Sequence, residues 1–376
     1  MAGIYIHIPF CKTKCHYCDF YKSTLITQKD EVLAFLKKEF LLRKDYLGDE
    51  KITTIYFGGG TPSLLSVEQI NEFLQLIQAH YLIDDDAEVT IEANPEDLNY
   101  EYCLGLRSIG INRLSVGIQS FNDDDLALMN RRHRSEKAKT AITDARKAGF
   151  DNISIDLIYG LPKMTNDKWS QNLEEAFKLK PEHISAYHLT YHKGTVFNTF
   201  LKKGKIAPIP EDDSFTQFEM LIDKACEHGY EQYEISNFSL DGFHSRHNSS
   251  YWKGVKYLGI GPSAHSFDGN SRQWNVASNK KYMLALENGD NWFEKEELSE
   301  DDKLNDYIIT RLRTIWGLDL NEIKNRFNEE ALFHVEKMAQ KYIQSEHIIQ
   351  RENVYYLSRK GLFISDEIML ELMLVH

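Results

Sequence analysis

Three cysteines, Cys11, Cys15 and Cys18, fall within the eight-residue stretch Cys11-Lys12-Thr13-Lys14-Cys15-His16-Tyr17-Cys18. Thiolates ligate both zinc and iron–sulfur clusters, so residue type alone does not choose between them. The count narrows the choice. A structural zinc is closed by four ligands, whereas three cysteines leave one metal position open to a substrate or cofactor. His7 or His16 would be the residue to close a zinc site. The chain has five cysteines, and clustering of this kind suits metal in a reducing compartment better than a disulfide framework. Cys103 and Cys226 stand alone in helical patterns and read as core cysteines.

The elements that must position these thiols follow from periodicity. Runs rich in β-branched and aromatic residues at Gly3 to Ile8, Ile52 to Phe57, Glu88 to Glu92, Arg113 to Ile118, Ile153 to Ile158 and His183 to Leu189 read as six strands. Between them lies helical spacing, as in Val32, Phe35, Leu36 and Phe40 and again in Ala138, Ala141, Ile142 and Ala145. Repeated strand–helix order demands right-handed crossovers and a parallel sheet. The expected fold is therefore α/β, a partial TIM-like barrel of six strand–helix units, with its chemistry at the C-terminal ends of the strands. We assign residues 1–240 to this barrel, 241–290 to a linker and 291–376 to a smaller, mostly helical domain. A Gly-, Ser-, His- and Asn-rich loop, 236–275, opens the linker. A small hairpin is expected at Val354 to Lys360, and the helix–helix–hairpin order also fits a winged helix.

The bulk composition excludes several function classes. With 376 residues, 42% of them apolar, the chain buries a large core. Lys and Arg total 44 against 57 Asp and Glu, and the net charge of -13 argues against a nucleic-acid partner. No secretory leader pattern opens the sequence and no apolar run approaches a membrane span of about 20 residues. A cytoplasmic protein is expected, with peripheral contact at the inner membrane face compatible with the sequence.

Several of the predicted strands carry ligand-binding candidates at or near their ends. Gly58-Gly59-Gly60-Thr61-Pro62 follows the second strand, Glu92 ends the third, Gln119 the fourth, and Asp156 lies in the fifth. Any one of these would cap a helix, and Arg131, one of two adjacent arginines, also reads as a surface charge. The cysteine spacing, three and then two intervening residues with the aromatic Tyr17 before the third, resembles the radical SAM superfamily. The resemblance implies a 4Fe-4S cluster on Cys11, Cys15 and Cys18, with S-adenosylmethionine chelated to its open iron and cleaved to a 5'-deoxyadenosyl radical. Such a zwitterionic, ribose-bearing ligand needs acceptors for its hydroxyls and amine and a cation for its carboxylate, which Glu92, Gln119, Arg131 and Asp156 offer.

Over nearly the whole chain the motif order resembles oxygen-independent coproporphyrinogen III oxidase and its relatives, the haem chaperones of the HemW type. By that resemblance Tyr5, Gly59, Gly60, Thr61, Glu92, Gln119, Arg131 and Asp156 contact S-adenosylmethionine, and Tyr17 flanks a second copy if the oxidase's arrangement is kept. The oxidase carries a fourth cysteine where this chain has Phe20, and an N-terminal extension before the first strand. Both differences favour the chaperone over oxidative decarboxylation of coproporphyrinogen III. So does His247-Asn248-Ser249-Ser250-Tyr251-Trp252, which reproduces the chaperones' His-Asn-x-x-Tyr-Trp motif. An imidazole at His247 suits haem iron, and Tyr251 and Trp252 offer flat apolar faces; the plainer reading is an aromatic-rich interdomain loop. His265 is a second candidate ligand. The resemblance thus implies haem as cargo, delivered to acceptor haemoproteins, with respiratory, membrane-associated ones as candidates.

Overall fold

The computed structural model describes residues 1–374. Six strands pair in parallel and in chain order: β1 (Ala2–Ile8), β2 (Ile52–Gly59), β3 (Ile83–Ala93), β4 (Arg113–Gln119), β5 (Ile153–Tyr159) and β6 (His183–His188). Their alternation is the reason for the fold. One set of positions, including Ile4, Ile6, Ile55, Phe57, Ile91, Val116, Ile155 and Ile184, is apolar and buried beneath the helices. The opposite set is polar or aromatic. Register aligns Tyr5 with Tyr56, Thr90 with Arg113, Glu92 with Ser115, and Asp156 with Ser185. A closed TIM barrel fills its interior with branched apolar residues; this sheet keeps an inner face able to hold a polar ligand.

The covering helices form where the spacing predicts. Helix Lys29–Leu42 buries Val32, Leu36 and Phe40, with Phe35 packed at the core's edge. Helix Ser135–Lys147 buries Ala138, Ala141, Ile142 and Ala145. Val67–Gln78 starts at a capping box, Ser66 accepting from the Gln69 amide while the Gln69 side chain returns to the Ser66 amide.

The sheet does not end at six strands. β7 (Glu231–Glu234) and β8 (Asn237–Ser239) extend it beyond β6, and β9 (Tyr257–Ile260) pairs parallel with β1. β10 (His265–Phe267), β11 (Ser271–Asn275) and β12 (Phe293–Glu297) continue outward antiparallel, giving twelve strands in one open sheet. The stretch expected as a linker over 241–290 is therefore structural: it holds β9, β10, β11 and helices Arg246–Trp252 and Asn279–Asn288. Strands of three to five residues broken by Gly, Ser and Asn are too short to show an alternation, which is why the sequence reads as loop there. The edge strand β12 is charged along its length, Phe-Glu-Lys-Glu-Glu, as suits a strand with one unpaired side.

A second core, with Leu304, Ile308, Leu318, Val335, Ala339 and Leu372 among its members, lies C-terminal to the sheet. Helices Glu300–Leu312, Leu320–Arg326, Glu329–Gln344 and Ser365–Leu372 surround it. A three-stranded sheet of β13 (Leu318–Asp319), β15 (Val354–Leu357) and β14 (Ile348–Arg351) completes it. The expected hairpin is present as β14 and β15; Ser358 then caps a short helix, Arg359–Phe363, so Lys360 is helical.

Candidate functional site

A cavity of about 450 Å³ opens at the C-terminal ends of β1 to β6, and Cys11, Cys15 and Cys18 line it from the loop after β1. Backbone bonds tie that loop down: the Cys11 amide donates to the Ser23 carbonyl, the His16 amide to that of Met129, and the Phe197 amide to that of His16. None of the three cysteines is in a disulfide. Thr61 donates its hydroxyl to Cys11 Sγ at 3.3 Å. Burial pushes the Cys11 thiol up to about 11, against the pull of Thr61, so this thiol must lose a proton when it takes a metal.

Arg131 is not a surface charge. It donates to Asn94 Oδ1 at 2.7 Å and to the Gly117 carbonyl at 2.6 Å, with Nη1 3.6 Å from Cys15 Sγ. Asn94 in turn donates to Thr61 at 3.2 Å, closing a chain from Arg131 to Cys11. The buried Nε of Arg131 has no partner.

The glycine loop is required sterically. A Cβ at Gly60 would sit 2.7 Å from the carbonyl oxygens of Ile8 and Phe10, and Gly59 adopts φ +104° against the His7 ring. The Gly59 amide donates to Glu92 Oε2 at 3.0 Å and the Tyr56 hydroxyl to Oε1 at 2.9 Å. Burial first, and then the charge on Asp156, raises Glu92 to about 7. Asp156 is likewise raised by burial to about 6, although Arg113, Arg131 and the hydroxyls of Ser115 and Ser185 favour its charged form. Gln119 holds φ +69° at the end of β4, where the pairing with β5 shifts register, and faces the cavity. A non-glycine residue in that conformation is a strained position of the kind found at ligand sites.

These residues fit the groups the cysteine spacing suggests. Three thiols would leave one position on a cluster iron open, two cavity-lining carboxylates have no ion-pair partner among the described residues, and an orphaned arginine Nε faces the same region. Among the described residues no three His, Cys, Asp or Glu side chains converge to hold a single ion. The candidates for a closed zinc site are engaged elsewhere. His7 holds Tyr5 and the Tyr21 carbonyl, and burial lowers it to about 4; His16 holds the Leu128 carbonyl.

Tyr17, Gly59, Gly60, Thr61, Glu92, Gln119, Arg131 and Asp156 all line the cavity. Tyr5 does not. It lies one layer deeper, stacked on Tyr56 and His247 at 6.1 and 6.3 Å between centroids.

The expected haem ligands lie on a helix rather than in a loop. Helix Arg246–Trp252 plugs the floor of the sheet's inner face. Glu88 accepts from the amides of Arg246 at 3.0 Å and His247 at 2.9 Å, a carboxylate at a helix N-terminus. The ring of His247 is 2% exposed and has both nitrogens engaged, by Thr54 at 2.8 Å and Tyr251 at 2.8 Å. Burial lowers it to about 3. Trp252 packs under Arg313 with 4.3 Å from guanidinium carbon to ring centroid. In this arrangement both ring nitrogens of His247 are engaged within the fold, while Tyr251 and Trp252 are only partly buried. His265 is exposed, with Trp274 beside it in a separate recess of about 300 Å³.

The sequence reading missed Tyr56, Asn94, Arg113, Ser115, Ser185 and Tyr187, which share the lining. For all but Asn94, which follows β3, the signal was the polar alternation of β2, β4 and β6. Cys103 is buried as expected, but Cys226 is exposed near the end of helix Glu211–Glu227: its spacing places it off the face of that helix that packs on the sheet.

Comparisons with known proteins agree with this geometry. The radical SAM superfamily matches residues 5–176, and the HemN C-terminal domain matches residues 298–364. The heme chaperone HemW of Bacillus subtilis is 34% identical over 375 residues, 98% of each chain. That of Haemophilus influenzae is 32% identical over 98% of this chain and 96% of its own. Among solved structures, coproporphyrinogen III oxidase HemN from Escherichia coli, described as a radical SAM enzyme, superposes with TM-score 0.86 at 25% identity, covering 99% of this chain and 90% of that one. With thiols, glycine loop and carboxylates assembled at the strand ends, and with such identity over its full length, the chain belongs to the radical SAM superfamily and within it to the HemW family.

Proposed function

We propose that this protein carries haem to acceptor haemoproteins while holding a 4Fe-4S cluster on Cys11, Cys15 and Cys18 and S-adenosylmethionine in the cavity beside it. The observation that carries the cofactor reading is the pairing of three free thiols with two buried, unneutralised carboxylates in one cavity. The haem reading is supported by near-complete alignment with proteins named as haem chaperones.

When bound, the cluster and its ligand supply one-electron chemistry. The residues do the rest. Gly59 and Gly60 let the backbone come close to the ligand, Glu92 and Asp156 accept from its amine and hydroxyls, and Arg131 supplies positive charge for its carboxylate and for the cluster. Ile158 and Leu189 add apolar wall, keeping the cavity drier than the solvent. The acceptors we envisage are respiratory haemoproteins at the membrane, met from the cytoplasmic side; no helix among the described residues is long and apolar enough to cross a membrane.

A second reading is oxidative decarboxylation of coproporphyrinogen III, favoured by the superposition on HemN. Against it stands Phe20, 68% exposed at the cavity mouth where the oxidase's pattern has a cysteine. The deciding experiment is anaerobic reconstitution followed by parallel assays. We expect about four irons and four sulfides per chain, lost in Cys11→Ala, Cys15→Ala or Cys18→Ala, together with saturable haem binding and transfer. Conversion of coproporphyrinogen III with only nonsaturable haem binding would replace the chaperone reading by the oxidase.

A further inference from the structure

The cavity has a lower end that the cofactor reading leaves unused. Arg113 opens β4 and Gln119 closes it, and both line the cavity. A strand rises about 3.3 Å per residue, so the Arg113 backbone lies about 13 Å below Gly117. The Gly117 carbonyl is the one that holds Arg131 beside Cys15. A carboxylate chelated to an iron on the thiols therefore belongs to Arg131. Arg113 begins four residues further down and faces a different part of the space.

Arg113 is 1% exposed, yet among the described residues its guanidinium makes no hydrogen bond, and its buried Nε is an orphan. Its one ion pair is loose. Glu88 Oε2 lies 3.9 Å from Nε, and the two oxygens of Glu88 already accept from the amides of Arg246 and His247. Thr90, which pairs with Arg113 across β3 and β4, has a buried hydroxyl that is also without a partner. A buried cation with no bonded anion is costly, and so is an orphaned hydroxyl. An anion in the lower cavity relieves the first directly, since a guanidinium presents a planar fork that matches a carboxylate.

The surroundings narrow the choice of anion. Tyr187 lines the same cavity with its ring 45% exposed, and Asn248, on the floor helix Arg246–Trp252, lines it too. Glu88 holds that helix by its first amides and faces Arg113, so one carboxylate joins the cation to the segment that carries Tyr251 and Trp252. A ligand that combines a flat apolar ring with a carboxylate on a short arm answers to both features. We infer that Arg113 binds a propionate of the haem, drawing one carboxylate arm into the foot of the cavity between the cofactor and the floor helix. The inference rests on the haem-carrying reading. It is compatible with iron ligation by His247, because Arg113 and the His247 backbone share Glu88. It adds that cargo and cofactor enter one cavity from opposite ends.

The test uses the full chain with its cluster reconstituted, titrated anaerobically with haem and, in parallel, with haem dimethyl ester, whose propionates carry no charge. The Soret band follows both titrations. Wild type should bind haem about 10–100-fold more tightly than the ester, the range for a hydrogen bond to a charged group. Arg113→Gln should bring haem down to the affinity of the ester, with the ester's own affinity and the iron and sulfide content as in wild type. Arg113→Lys keeps the charge without the fork and should keep part of the preference. Equal affinity of wild type for haem and ester overturns the assignment, and that comparison needs no substitution. A preference that survives in Arg113→Gln overturns it as well. So does a preference abolished by saturating S-adenosylmethionine, which would put that ligand's carboxylate on Arg113. In each of these cases saturable haem binding by wild type leaves the cargo reading standing. If wild type itself binds haem only nonsaturably, the cargo reading falls and this inference falls with it.

Discussion

At the scale of single residues the cavity is defined by two carboxylates that have hydrogen-bond donors but no close ion-pair partner among the described residues. Glu92 and Asp156 are buried carboxylates raised to about 7 and about 6, so each gains from a cation that would favour its ionised form. The ligand's sulfonium supplies one and lowers both values. The sign follows: below pH 7 the free protein holds a proton on Glu92 that binding must displace, so affinity for S-adenosylmethionine falls as pH drops from 8 to 6. Calorimetry on the reconstituted protein should show that slope. Glu92→Gln should flatten it and weaken binding by about 1.5–3 kcal/mol, the value of a hydrogen bond to a charged group; equal affinities at pH 8 and pH 6 would remove Glu92 from the site. The lone cysteines give a simpler check. A bulky maleimide should label Cys226 in the native protein and spare Cys103, which is fully buried with its thiol pushed up to about 12. Glu92, Gln119 and Asp156 were legible in the sequence because a polar side chain ending an apolar run is conspicuous. Tyr56, Arg113 and Ser185 were not, because they count as lining only once it is known which parity of each strand faces the helices.

At the scale of elements, the outer strands show what pattern alone misses. Glu39 has no exposed surface, and its carboxylate accepts from the Gly261 amide at 2.7 Å, Asn275 at 2.7 Å, Tyr282 at 2.5 Å and Trp292 at 3.0 Å. Arg43, one turn on, faces it at 3.3 Å and reaches Ser266 and Gln273. One helix thereby fastens β9, β10, β11 and helix Asn279–Asn288 to the sheet, through partners more than two hundred positions away. A helical period predicts that Glu39 lies on the inner face. It cannot predict that an acid there is satisfied, since the partners come from a stretch that reads as loop. Glu39→Ala leaves the buried Arg43 unpaired and four donors without an acceptor, so it should destabilise the protein by about 3–5 kcal/mol. Urea unfolding measures this, and Trp292 emission should shift to the red. A loss below about 1 kcal/mol would show that the outer strands are held by their backbone pairing alone.

At the scale of the whole molecule, the sheet's core and the C-terminal core are joined by several contacts, and one group of them, forming a seam, involves the floor helix. The Ile235 amide bonds the Arg313 carbonyl at 3.2 Å and the Ile315 amide bonds that of Tyr233 at 3.0 Å. Arg313 lies over Trp252 at 4.3 Å and reaches Glu234 at 3.5 Å, and Lys253 lies over Trp316 at 4.4 Å. Trp252 and Lys253 end the floor helix, so the plug of the sheet's inner face and the C-terminal unit share this seam. The sequence pattern turns mainly helical after about residue 287, although strand Phe293–Glu297 still belongs to the large sheet and the second core begins at Leu304. The joint itself was not legible, because the residue types that form it look the same when solvated. Its strength can be measured. A desolvated arginine–tryptophan contact is worth about 2 kcal/mol, and Arg313→Ala removes it along with the contact to Glu234. Calorimetry of wild type should give one transition, because unfolding either unit strips the seam from the other. In Arg313→Ala the C-terminal unit should melt first, as a separate lower transition, with Trp252 emission shifting to the red within it. A single transition unmoved from wild type would point to the backbone bridge between Glu234 and Thr314 as carrying the coupling, and the same scan on Ile315→Pro, which removes the amide that bonds the Tyr233 carbonyl, would then show the split.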